Sequence, residues 1–290
     1  MGPSSGPRPW TDLGRFLELQ NVGLNLPFAL AFLWIAAGGL PSLRIVLLVL
    51  VAFIAARNAG HSFNRFADRR FDLATVRTRA RPAVADRPAI AFALGFAAAN
   101  AVILLVAAFL LNPLAFVLAP VALAFVFGYS YTKRFTSLTT VFLGLVEAIT
   151  PAAVFVAVRG ALPLEAFVAV AAMLAWGTAF EILHSLGDLE TDRRQGLFSI
   201  PVRWGALRAR RMVPLLHAGA LAALTLFGRL AGMTTPYFVG LIAVAAVIAW
   251  TDLEVFLHPE EVRRPFRRHV LLGVLFFVGV TWAVFFPSFI

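Results

Sequence analysis

Residues 43–72 read LRIVLLVLVAFIAARNAGHSFNRFADRRFD, an apolar run that passes without a break into a ladder of charge. Its first half, 43–56, carries one charge, Arg44. About 20 apolar residues in helical form cross a hydrocarbon core of about 30 Å, so the run reads as a membrane-spanning helix. The second half keeps helical spacing. Arg57, His61, Asn64, Asp68 and Asp72 lie three or four residues apart and fall on a single stripe. A span that ends in a polar stripe implies a bilayer fold with chemistry at one mouth.

The rest of the chain agrees. Of 290 residues, 60% are hydrophobic, 28 are Phe and only 14% are charged, with a mean hydropathy of +0.85. The weak ten-residue alternation of a β-barrel is missing. Nine spans are predicted, at 22–40, 43–64, 88–111, 113–131, 138–158, 163–187, 209–231, 234–252 and 269–288. Turn-forming residues separate them: GGLPS at 38–42, LNPL at 111–114, RGALP at 159–163 and MTTP at 233–236. The expected fold class is therefore all-α: a polytopic membrane protein with nine transmembrane helices in one domain, 1–290. Residues 1–18 read as a flexible or interfacial tail. The opening MGPSSGPRPW has no apolar core and does not fit a cleaved signal peptide.

Charge sets the expected orientation. The tail and the loops after spans two, four, six and eight, counted with the first residues of span seven, hold 21 of the 25 Lys and Arg residues. Such a bias places the N-terminus and the even-numbered exits in the cytoplasm. The net charge of +10 is thus a topological signal, and no nucleic-acid partner is expected. The chain has no Cys, which excludes disulfides, thiolate metal sites and thiol nucleophiles. No obligatory protein partner is evident.

A second stripe ends span six: Glu181, His184 or Ser185, Asp188 and Asp192. Both stripes leave even-numbered spans and so face the same side. Carboxylates four residues apart repel each other, and a hard divalent cation would hold them together. Mg2+ takes one or two carboxylates and completes its shell with water and phosphate oxygens. The plainer alternative is a solvated helix end whose acids pair with Arg65, Arg69, Arg70, Arg193 and Arg194. Two such stripes on one face, each continuing into the membrane, argue for a site.

Cations surround the acids: Arg77 and Arg81 after the first stripe, then Tyr129, Tyr131, Lys133 and Arg134 in YSYTKR at 129–134. Phosphate oxygens bridged to metal and clamped by Lys or Arg are a standard way to hold a diphosphate and stabilise its departure. Arg57 lies too deep for a topogenic charge and suits an anionic substrate group. Glu147, in LGLVEAITP, has two open readings, a pocket wall or a partner for a basic residue. The pattern describes a diphosphate held at a cytoplasmic mouth above an apolar pocket, as a lipid diphosphate would require.

RNAGHSFNRFADRRFD at 57–72, followed by RTRARP, resembles the first signature of the UbiA superfamily of intramembrane prenyltransferases. YSYTKR resembles its middle motif, and FEILHSLGDLETDRRQGLFSIPVRWG at 180–205 is similar to its second signature. The tail of that second signature resembles the branch that prenylates 4-hydroxybenzoate in quinone synthesis. The resemblance implies two Mg2+ ions with Asn64, Asp68, Asp188 and Asp192 as the core of their sites, and Asp72 in the same motif. It implies that Arg77, Lys133 and Arg134, with Tyr129 or Tyr131, hold the diphosphate of a polyprenyl donor. Arg57 and Glu181 would meet an aromatic acid acceptor, so that Asp68, Asp188, Arg57 and Glu181 carry the catalysis. Two departures stand out: Glu181 where Asp is common, and Gln20-Asn21 where Glu-His is common.

Three rivals remain open on sequence alone. A cation or metabolite transporter would place acids near mid-membrane or in inverted repeats. A CDP-alcohol phosphotransferase would carry an Asp-Gly-xx-Ala-Arg lead-in, which is missing here. Within the same superfamily, the acceptor could be a glycerol phosphate lipid, haem or chlorophyllide.

Overall fold

The computed structural model describes residues 8–19, 24–74, 82, 84–258 and 268–286. The described residues are helical throughout: α1 (Leu13–Phe16), α2 (Leu26–Ala37), α3 (Leu43–Ala74), α4 (Arg87–Leu111), α5 (Pro113–Thr132), α6 (Thr139–Arg159), α7 (Leu164–Arg194), α8 (Ile200–Trp204), α9 (Ala206–Leu230), α10 (Thr235–Leu257) and α11 (Arg268–Phe285). Eight of these are long and apolar enough to cross a bilayer. The first predicted span, 22–40, is described only as α2, whose 12 residues rise about 18 Å. The count among the described residues is therefore eight spans and one shorter apolar helix. The chain is an integral membrane protein.

The predicted breaks form where local chemistry requires them. Asn112 ends α4 and caps α5, accepting the Ala115 N–H at 2.9 Å, and Pro113 opens the new helix. Its amide also donates to the Val156 carbonyl at 2.8 Å, tying this corner to the end of α6. Gly38 and Gly160 end α2 and α6 in the left-handed conformation, at φ 65° and 63°. At the same end of the bundle Arg159 donates to the Ala36 carbonyl at 2.7 Å, and Arg44 donates to the Leu110 carbonyl at 2.7 Å. These two arginines satisfy helix C-termini rather than a ligand.

Successive helices pack side by side: α3 on α4, α4 on α5, α5 on α6, α6 on α7, α7 on α9, α9 on α10 and α10 on α11, with α11 closing back onto α2. The main core joins α2, α6, α7, α9, α10 and α11. Its centre is aromatic: Phe28 meets Trp176 at 5.3 Å and Phe276 at 5.5 Å, and Phe32 meets Phe227 at 5.6 Å. Edge-on and tilted contacts of this kind add to their area burial. The opposite half, α3 to α6, leaves a cavity between its helices.

Residues 8–19, most of which belong to the segment expected to be a flexible or interfacial tail, are seated against the helices. Phe16 and Leu17 are buried, in a cluster with Val84 and Ala93, and the Phe16 ring meets Phe92 at 5.9 Å. Two adjacent apolar side chains dock this segment onto α4, where burying them removes their apolar surface from water.

Candidate active site

The cavity holds about 860 Å³ and runs along α3, α4, α5, α6 and α7. Its far part is lined by small and aliphatic side chains, including Val49, Ala52, Leu104, Ala108, Ala119 and Ala153. Its near part is polar. Both acid stripes reach it: Arg57, His61, Asn64, Asp68 and Asp72 from α3, and Glu181, His184, Ser185, Asp188 and Asp192 from α7. The two stripes, 108 or more residues apart in sequence, share one chamber because α3 and α7 flank it with α5 and α6 between.

Lys133, at the end of α5, joins the stripes. Its ammonium bonds Asp68 Oδ2 at 2.6 Å and interacts electrostatically with Asp192. Asn64 donates to the same Oδ2 at 3.1 Å and to Ser130 Oγ at 3.3 Å. Asp68 Oδ1 is buried with no hydrogen-bond partner among the described residues. A carboxylate oxygen left bare beside a cavity, next to a lysine bonded to the other oxygen of the same carboxylate, fits a site that receives a further cation or its phosphate ligands. Among the described residues no three His, Cys, Asp or Glu side chains converge on one point. The donor set suits Mg2+, which needs few protein ligands when phosphate oxygens complete its shell.

Asp72 is held differently. Arg65 bonds it at 3.1 Å and with its other amino group reaches Glu18 Oε1 at 2.9 Å. Glu18 adopts φ 50°, an uncommon left-handed backbone for a non-glycine residue. Arg57 donates to the carbonyls of Leu17 and Glu18 at 2.9 and 2.8 Å. Residue 18 thus plugs into α3 through two arginines, and its carboxylate enters the cavity wall. The sequence pattern does not reveal this residue, because the segment around it has no periodicity. Arg57 therefore meets two backbone carbonyls, and these two bonds use two of its five N–H donors.

Not every predicted residue lines the cavity. Tyr129 and Lys133 do. Tyr131 is turned away, its ring against Phe63 at 5.9 Å and under Arg134 at 4.7 Å. Arg134 donates to the Ala67 carbonyl at 2.5 Å and braces α3. Helical phase explains the split, since residues 129 and 133 share a face while 131 lies opposite. Arg77 and Arg81 lie outside the described residues, as do Gln20 and Asn21. The segment after α7 returns to the mouth: the Phe198 N–H donates to the Lys133 carbonyl at 2.8 Å, and Phe198 and Ser199 join the wall.

Residues 25–272 match the model of the UbiA prenyltransferase family. The chain belongs to that family. This UbiA-family chain is 33% identical over 276 residues to a 4-hydroxybenzoate octaprenyltransferase of Azoarcus sp. (strain BH72), covering 92% of this chain and 94% of the relative. Among solved structures it is similar to the apo structure of a UbiA homolog from Aeropyrum pernix K1, with a TM-score of 0.81, 28% identity, and coverage of 90% and 97% of the two chains. It also shares its fold with a UbiA homolog from Archaeoglobus fulgidus bound to GPP and Mg2+, with a TM-score of 0.67 and 19% identity over 92% of this chain and 99% of the other. The family and the fold expected from the two signatures are both borne out, and the chain is a prenyltransferase.

Proposed function

We propose that this prenyltransferase moves a polyprenyl group from a polyprenyl diphosphate to an aromatic acid such as 4-hydroxybenzoate, the ring alkylation of ubiquinone or menaquinone synthesis. The observation that carries the reading is the layered cavity: two acid stripes at the mouth with Lys133 bonded to Asp68 between them, Arg57 and Glu181 beneath, and an apolar chamber beyond. A diphosphate, an aromatic acid and an isoprenoid tail need these three environments in this order. The Azoarcus relative, named for 4-hydroxybenzoate, supports the choice of acceptor.

Asn64 and Asp68 on α3 and Asp188 and Asp192 on α7 would hold two Mg2+ ions, as the Mg2+ bound in the Archaeoglobus fulgidus homolog supports for at least one. Bound Mg2+ supplies positive charge for the departing diphosphate. Lys133 adds a cation at the same oxygens, and Arg77 belongs to this set by its motif. Arg65 fixes Asp72, which makes Asp72 a positioning residue. As the allylic C–O bond breaks, its electron pair leaves with diphosphate. The ring carbon ortho to the phenol oxygen forms the new C–C bond, and the ring then loses its proton. Glu181, paired with His184 at 3.3 Å, faces the cavity near this carbon's layer and orients the acceptor. Apolar walls keep water from the allylic cation. The positive-inside charge supports a mouth and an N-terminus on the cytoplasmic side.

The test is mass spectrometry of the purified protein in detergent with geranyl diphosphate, 4-hydroxybenzoate and Mg2+, beside an EDTA control. A C-prenylated acid that disappears with EDTA is expected. Mg2+-dependent diphosphate release without that product sends the acceptor to another class, such as a glycerol phosphate lipid, haem or chlorophyllide. Neither product nor release, in folded protein offered longer donors, returns the chain to the transporter reading.

A further inference from the structure

One wall of the cavity has a polar group that neither stripe accounts for. Glu147 projects from the middle of α6, within a run whose cavity-lining neighbours are Leu143, Val146, Ile149, Ala152 and Ala153. An ionisable group in such a wall is expensive to keep and marks function by default. Three features build a place for it. Gly177 on α7 leaves the space its carboxylate fills: a Cβ there would come within 2.6 Å of Glu147 Oε2 and 2.9 Å of the Gly144 Cα. The Asn25 side chain, at the start of α2, donates a hydrogen bond to it. Pro151, four residues on, has no N–H for the Glu147 carbonyl, so the helix is locally open beside Thr150, which also lines the cavity.

The same geometry fixes its height. Gly177 precedes Glu181 by one helical turn, so the Glu147 carboxylate lies against α7 one turn from Glu181, and the two interact electrostatically. This level is below Asp188 and Asp192, away from the diphosphate mouth, and level with the acceptor layer. The single sequence-based alternative, pairing with a basic residue, is not what the structure shows: its partner is a neutral amide. Two carboxylates on one side of the layer repel an acceptor's anionic end and accept from its hydroxyl.

We propose that Glu147 is a specificity-determining residue of the acceptor site, its carboxylate accepting the hydrogen bond of the acceptor's phenolic hydroxyl. The acid end of the ring is thereby directed away from α6, towards Arg57. This rests on the aromatic-acid reading above and deepens it. The site selects an aromatic acid with a free hydroxyl and rejects both the ether of that hydroxyl and a phosphate at that position.

The test uses the full chain in nanodiscs with Mg2+ and geranyl diphosphate. 4-Methoxybenzoate, which presents no hydroxyl proton, is measured as an inhibitor competing with 4-hydroxybenzoate. In the wild type its Ki is expected to exceed the acceptor KM by about tenfold or more, the fold-change that loss of one buried hydrogen bond gives. Glu147→Gln, whose amide donates to an ether oxygen, is expected to raise the acceptor KM about tenfold, bring that ratio towards one and leave the donor KM unchanged. Glu147→Asp, which keeps the charge but withdraws it, should raise the acceptor KM in the same direction by less. Equal binding of ether and phenol by the wild type overturns the proposal without any variant. So does a Glu147→Gln protein whose acceptor KM and ratio do not move, or whose donor and acceptor KM rise together as in a general packing defect. If the wild type binds the hydroxy acid but never prenylates it, the reaction reading falls while the Glu147 contact stands or falls on its own ratio. If it does not bind the acid at all, both fall.

Discussion

The two acid-bearing helices, α3 and α7, do similar chemical work but are held in different ways. Both are long, 32 and 31 residues, and both end in a stripe at the cavity mouth. In α7, 61% of the most apolar window is buried among neighbours; in α3 the share is 17%. α7 is thus fixed by packing, against α6 at the Gly144–Gly177 crossing and against α9 through Trp176 and the aromatic core. α3 has bilayer on one side and cavity on another, and its polar stripe is fixed by ion pairs and hydrogen bonds: Lys133 to Asp68, Arg65 to Asp72 and Glu18, and Arg134 to the Ala67 carbonyl. On the α7 side the stripe grows from a packed helix, and on the α3 side the stripe itself is set by charge.

The contrast can be broken first at the acids themselves. Asp68→Ala and Asp192→Ala should each reduce prenyl transfer about 100-fold or more, as loss of a preorganised electrostatic group does. Asp68→Ala should in addition release Lys133. Diphosphate release and product formation, measured together, check both. Next comes packing. Gly177→Leu forces a side chain into the α6–α7 crossing, where the nearest atoms include the Gly144 backbone, and should destabilise by about 3 kcal/mol. Gly60→Ala on α3 meets only the Val126 side chain, at 2.7 Å, which can turn aside, and should stay near about 1 kcal/mol. Thermal unfolding of both variants in one detergent tests this contrast, and equal losses would remove the distinction between the helices.

Arg65→Ala should be smaller in stability but specific in place. It leaves Glu18 and Asp72 without their shared cation, a loss of about 1–2 kcal/mol, below the ~3–5 kcal/mol of a fully buried pair because both acids are partly exposed at the cavity. Limited proteolysis should then cut the chain near residue 18 sooner than in the wild type. At the bottom of the scale, Glu190→Ala removes a solvated pair with Arg194, whose side chains are 68% and 77% exposed. It should shift stability by less than about 0.5 kcal/mol.

Much of this was legible in the sequence, for physical reasons. Spans are visible because a bilayer demands long apolar runs, and the two stripes because helical spacing puts i and i+4 on one face. The match of Asp68, Asp188 and Asp192 to one cavity follows from that rule. What the pattern left unspecified was phase and reach. YSYTKR offered four candidates, but a helix shows a cavity only every third or fourth residue, so Tyr129 and Lys133 face it while Tyr131 and Arg134 do not. Glu18 acts through an irregular segment, where no period exists to read. Glu147 was visible as an anomaly, but its direction depended on Gly177 of α7 and on Asn25 at the start of α2. The length of α2 was misjudged because apolar composition continues past the residues described as helical.

The docking of residue 18 has a practical consequence. Two side chains of α3, Arg57 and Arg65, grip the start of the chain by its main-chain oxygens and its carboxylate. Any strain placed on residues 17 and 18 is therefore passed straight to the wall of the reaction chamber.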